Sequence, residues 1–131
     1  TVNRILAKTL HRMQSAYGTR GTDVIACIGP GISLDSFEVG DEVYEAFRTE
    51  NFPMEYISVW KPETHKYHID LWAANRLQLS DFGVPPRQIE NAGICTYRQH
   101  EDFFSARRLG IKSGRILSGI MLNGQEKGER K

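Results

Sequence analysis

The strongest constraint on this chain is a change of hydrophobic period within its first thirty residues. Val2, Ile5, Leu6, Leu10, Met13 and Tyr17 recur every three or four residues, the spacing that returns side chains to one face of an α-helix, and Gly18 supplies a stop. The helical rhythm then ceases. Residues 23–28, DVIACI, are a short apolar run ending at Gly29-Pro30-Gly31, as expected of a buried strand feeding a glycine-rich loop. A chain that alternates helical stretches with short apolar runs must cover strands with helices, so a mixed α and β architecture is predicted.

The alternation continues. Val39, Val43 and Phe47 predict a second helix, with Asp35 or Ser36 as its cap and Gly40 weakening its first turn. Residues 56–60, YISVW, predict a strand between Pro53 and Pro62. Asp70 to Phe82 predicts a helix ended by Gly83 and Pro85, with Asp70 as its N-cap and Asn75 able to hold a loop by side-chain hydrogen bonds. Residues 89–97 and 116–122 predict further strands, the second apolar on both faces and therefore central. Residues 123–131 contain no apolar side chain and predict a frayed tail, which leaves 1–122 as a single domain or part of one.

Charge and cysteine content narrow the classes of function. Lys and Arg total 17 against 16 Asp and Glu, a net charge of +1 that offers no general attraction to nucleic acid or anionic membranes. The longest apolar runs fall far short of the roughly 20 residues that cross a bilayer. With Cys27 and Cys95 the only cysteines and no hydrophobic leader in the sequence, a reducing, cytoplasmic setting is expected.

Four places carry candidate chemistry. The loop Gly29-Pro30-Gly31-Ile32-Ser33 lets backbone N–H groups approach an anion or carbonyl at Gly31, although it lacks the spacing and lysine of a phosphate loop, and a plain turn is the first reading. Cys95 ends a predicted strand close to His100 and Arg107, and is either an inert buried thiol or a substrate contact. From Phe103 to Arg115 there are four cations and no carboxylate, so Arg107, Arg108 and Arg115, with Ser105, suit a phosphate, and Phe103 or Phe104 suits the face of a base. The alternative is a solvated surface with both phenylalanines in the core. His65 and His68, three apart, would share a helical face, yet no further ligand lies at zinc spacing. His11 reads as a solvated side chain on the polar flank of the first helix.

Taken together, IGPGIS and FEVGDEV within 28–43, DLWAANRLQL at 70–79, CTY at 95–97, FFSARRLG at 103–110 and SGRILSGIML at 113–122 resemble one family in order and spacing. These are the YfiH-like proteins, also called laccase-domain or polyphenol oxidase proteins and purine nucleoside phosphorylases. The resemblance covers nearly the whole chain and corresponds to the family's C-terminal half, with Thr1 matching the Thr of a His-Ala-Gly-Trp-Arg-Gly-Thr segment that precedes the first helix.

The resemblance implies an α+β fold with helices outside two mixed sheets, a four-layer α/β/β/α arrangement with the active site between the two halves. It implies phosphorolysis of adenosine and inosine, with purine nucleoside and phosphate as partners and adenosine deamination as a side activity. Zinc is the implied metal, held by two histidines and a cysteine of the N-terminal half, so that no ligand is assigned within this chain. Copper-dependent phenol oxidation and peptidoglycan editing are alternatives on the same fold. Some relatives carry cysteines around the GPGIS loop, where this chain has Gly31, Ser33 and Ser36, and without soft thiolates a copper cluster there is disfavoured. From the residues alone, a non-catalytic anion-binding module remains a further alternative.

Overall fold

The computed structural model describes residues 1–124. Helix α1 (Ile5–Tyr17) is followed by a 3-10 turn at Gly21–Asp23 and strand β1 (Ala26–Ile28). Then come β2 (Glu38–Val39), α2 (Asp41–Thr49), the single helical turn α3 (Met54–Ile57), β3 (Ser58–Lys61) and β4 (Lys66–Ile69). Helix α4 (Leu71–Phe82), β5 (Ile89–Asn91) and the short α5 (Ala106–Leu109) complete the order. Two small sheets result, a parallel pair β1-β5 and an antiparallel set β2-β4-β3. This is the mixed architecture predicted.

Helix α4 joins the two halves of the core. Ala74, fully buried, packs with Phe47, Ile57 and Ile69 beside the antiparallel sheet, while Leu79 packs with Leu10, Val84 and Ile89 beside the parallel pair. Its ends are fixed locally, as the sequence predicts. The Asp70 carboxylate accepts the Ala73 N–H at 2.9 Å, and Gly83, at φ 101, turns the chain out of the helix. Asp70→Ala is expected to cost about 1 kcal/mol, read as a lower midpoint in chemical denaturation.

Helix α1 has no local cap, since Arg4 sits at its N-terminus with φ 54 and no side-chain bond. Gln78 of α4 supplies one instead: its Oε1 accepts the Ala7 N–H at 3.1 Å, and the side chain is almost wholly buried. A polar residue at the centre of α4 is thereby satisfied, and the two helices are held in register.

Several boundaries differ from those predicted. The second helix starts at Asp41, because Glu38 and Val39 pair with His68 and Tyr67, and Asp41 and Glu42 place carboxylates in the first turn where the helix dipole favours them. Asp35 and Ser36 lie in the preceding loop. The strand predicted over 56–60 is shifted to β3, since the Pro53 carbonyl accepts the Tyr56 and Ile57 N–H groups and winds residues 54–57 into a turn. Strand β4 was not predicted. His65 and His68 belong to that hairpin, with His65 at φ 52 in its turn, so they share no helical face.

The strand predicted over 89–97 is only β5, interrupted by Gly93 at φ 67; Cys95 rejoins as a parallel bridge to Gly31. Residues 116–122 are not a central strand. A strand requires a neighbour to take up its N–H and C=O groups, and none pairs with this segment among the described residues. Leu117 is 97% exposed and Met121 and Leu122 are 86% exposed. Between this segment, α1 and β1 lie two clefts of about 630 and 480 Å³ with largely apolar walls. Asn123 and Gly124 are exposed, and the remainder of the tail predicted over 123–131 lies outside the described residues. No helix among the described residues is long and apolar enough to cross a membrane.

Candidate functional site

The glycine-rich loop and the segment around Cys95 meet at the carboxyl end of the parallel pair. The Gly31 N–H donates to the Ile94 carbonyl at 3.1 Å, and the Thr96 N–H returns to the Gly31 carbonyl at 3.2 Å. Beyond this bridge the loop folds over the Cys95 side chain. The Ser33 N–H points at Sγ from 3.4 Å, and Ser36 Oγ lies 3.6 Å away.

Burial alone pushes this thiol up. Hydrogen bonds from the Ser33 side chain and N–H, the Arg98 backbone and the Ser36 hydroxyl outweigh that effect and hold Cys95 down at about 6. An unfolded cysteine ionises near about 8.5, so the thiolate's contribution to stability is complete above roughly pH 9 and is lost as pH falls through about 6. In a Cys27→Ser background, which removes the exposed thiol, thiolate ultraviolet absorbance is expected to titrate near pH 6, and Ser36→Ala should move that midpoint upward. A midpoint near that of a free cysteine would show that the loop does not hold a thiolate.

On the other side of this junction lies a cleft of about 300 Å³ lined by Ile32, Phe37, Thr96, Phe104, Ser105, Ala106 and Arg107. Ser105 and Thr96 are buried and bring hydroxyl-bearing side chains to the lining, and no carboxylate lines it among the described residues. Arg107 holds its place through one nitrogen, which donates to the Glu38 carbonyl at 2.6 Å, and its guanidinium lies 5.2 Å from the centre of the Phe37 ring. Its other N–H groups find no protein acceptor among the described residues. Such a fork, beside two hydroxyls and two aromatic rings, provides donors for an oxyanion with an apolar wall next to it.

Thus four predicted residues, Phe104, Ser105, Arg107 and, through the adjoining bridge, Gly31, are brought together. Cys95 sits directly behind Thr96. Arg108 is directed elsewhere, 4.1 Å over the Tyr97 ring with two N–H groups on the Tyr97 carbonyl. Arg115 curls onto its own turn, donating to the Ser113, Gly114 and Ile111 carbonyls. Phe103 does not line the cleft. The cationic stretch therefore does not converge on one anion. Thr96 and Phe37 were missed, and the one available signal for Thr96 was its place beside Cys95 in the CTY motif.

No group of three or more His, Cys, Asp or Glu side chains that could hold a metal occurs among the described residues. His68 is occupied with the Leu34 carbonyl, and His65 packs edge-on to Trp60.

A family model described as multi-copper polyphenol oxidoreductase laccase matches residues 1–123. The chain belongs to this laccase-like family. Within it, the chain is 64% identical over 123 residues to a purine nucleoside phosphorylase of Bacteroides thetaiotaomicron, covering 94% of this chain and 46% of that protein. It is 48% identical over 120 residues to adenosine deaminase RL5 from an unknown prokaryotic organism, covering 92% of this chain and 45% of that protein. The crystal structure of a Bacillus licheniformis hypothetical protein YfiH superposes with a TM-score of 0.71 at 30% identity, over 81% of this chain and 40% of that one. The chain thus spans about half the length of the curated relatives it matches. The laccase-like family is one of enzymes, and the resemblance read from the GPGIS, CTY and FFSARR motifs holds.

Proposed function

We propose that the protein is a purine nucleoside phosphorylase and that inorganic phosphate binds in the cleft of Thr96, Ser105 and Arg107. The observation that carries this is the Arg107 guanidinium, which among the described residues has N–H groups free of protein acceptors and stands beside two buried hydroxyl-bearing residues and no carboxylate. The name of the Bacteroides thetaiotaomicron relative supports the reading. In phosphorolysis a phosphate oxygen forms a bond to C1′ of the ribose as the bond from C1′ to the base nitrogen breaks. The electron pair leaves with the base, which takes up a proton, and ribose 1-phosphate results. Arg107 would orient the nucleophile, and Phe104, about half exposed at the rim, offers an apolar face to the nucleoside.

A zinc ion, if the protein uses one, finds no set of ligands among the described residues. A copper cluster fares no better, because the groups beside the Cys95 thiol are Ser33 and Ser36 and no set of three His, Cys, Asp or Glu ligands occurs among the described residues.

We further infer that the rest of a polypeptide of the relatives' length covers the exposed apolar segment 116–122 and the clefts beside β1. The isolated 131-residue chain should then bind a hydrophobic dye strongly and the full-length gene product weakly.

The function is tested by incubating the full-length gene product with adenosine or inosine, with and without phosphate, and separating the products chromatographically. Free base formed only with phosphate supports the proposal. Conversion of adenosine to inosine with no base release would instead match the name of the RL5 relative.

A further inference from the structure

Resting on the phosphorylase reading, we propose that His68 is a positioning residue for Arg107. His68 lies on β4, in register with Glu38 of β2, and only 8% of it is exposed. Its Nδ1 is 2.8 Å from the Leu34 carbonyl oxygen, which is an acceptor only, so Nδ1 carries the proton and donates. Its Nε2 faces the Glu38 carboxylate at 3.6 Å, where Lys66 also approaches at 3.7 Å. The Nδ1 bond ties Leu34, at the start of the segment 34–38, to β4, while the 3.6 Å from Nε2 to Glu38 is too long for a hydrogen bond.

That segment is what Arg107 rests on. The Glu38 backbone carbonyl takes its N–H, and the Phe37 ring lies beneath its guanidinium. The Phe37 carbonyl is in turn tied to the Ile69 N–H at 3.2 Å, immediately after His68 in β4. His68 is absent from the lining of the cleft, so its influence passes through the two residues that aim Arg107 rather than through contact with a ligand. The same grip on Leu34 steadies the loop whose Ser33 and Ser36 face Cys95.

The test is steady-state kinetics of the full-length gene product with phosphate and inosine varied separately. His68→Leu removes the bond to Leu34 while filling much of the space. It is expected to raise KM for phosphate about 10-fold, with kcat and KM for inosine changed by no more than about twofold. His68→Asn, whose amide can still donate to the Leu34 carbonyl, should recover most of the loss. Should the leucine variant fail to fold, His68→Thr, a β-branched side chain suited to a strand but too short to reach the Leu34 carbonyl, is expected to raise KM for phosphate by a similar factor. An unchanged KM for phosphate in either folded variant, or an equal loss in kcat and in both KM values, would overturn the inference while leaving the phosphorylase reading standing. Absence of phosphate-dependent base release in the wild type would overturn both.

Discussion

Gly21→Ala is expected to be among the most destabilising single substitutions in this chain. Gly21 is buried in the turn between α1 and β1, and a Cβ there would stand well inside contact distance of the Gly83 carbonyl carbon and oxygen, and 2.7 Å from the Gly83 Cα. These are backbone atoms that cannot swing aside. Gly83 is the left-handed cap of α4, its N–H is bonded to the Ser80 carbonyl, and the next residue, Val84, is buried and bonded to Leu79. Accommodating one methyl group therefore means displacing the end of the central helix from Leu10 and Ile89. The cost is about 3 kcal/mol or more, a large part of the 5–15 kcal/mol that holds a typical domain together, and a fall of about 10 °C in Tm is expected. Gly18→Ala is the control, since Gly18 has φ 67 but nothing within 4 Å of an added Cβ. It meets only the left-handed backbone penalty, about 1 kcal/mol. Equal melting temperatures for the two variants would show that the turn and helix end are not in contact.

Arg107→Ala should have the largest effect on activity. If its guanidinium donates charge-assisted hydrogen bonds to phosphate, losing them raises KM for phosphate about 100-fold while KM for the nucleoside changes little. Arg107→Lys restores the charge but not the planar fork, and should recover only part of the loss. Arg115→Ala is expected to do far less, because that guanidinium is folded onto carbonyls of its own turn. Comparable losses from both arginines would mean that the cationic stretch acts as a diffuse field rather than through one side chain. Arg108 differs from each. It packs on Tyr97, and its truncation should lower stability as well as activity.

The features visible in the sequence are those fixed by neighbours in the chain. Helix α4 is legible at both ends because Asp70 caps it three residues in and Gly83 ends it, and β1 because an apolar run meets a glycine loop. Strand β4 was not legible. Its residues KYHI alternate weakly, and His68 is buried because the Leu34 carbonyl, thirty-four residues away, accepts its proton. The cap of α1 depends on Gln78, seventy-one residues beyond Ala7, and the 116–122 segment shows the pattern of a central strand without a pairing partner among the described residues.

At the site, FFSARR contains Ser105 and Arg107, which the fold brings to one cleft, but spacing along a loop does not say which way each cation turns. Arg108 and Arg115 found carbonyls closer at hand. Thr96 joins the cleft because its N–H bonds to Gly31, a pairing that only the fold creates.

Phosphate-dependent turnover through Arg107 is tested most simply by phosphorus NMR of the full-length gene product acting on inosine in phosphate. A growing ribose 1-phosphate resonance is expected, matched by hypoxanthine release and strongly slowed in Arg107→Ala at low phosphate. Base release at the same rate without phosphate, or an Arg107→Ala protein that saturates with phosphate as the wild type does, would contradict it.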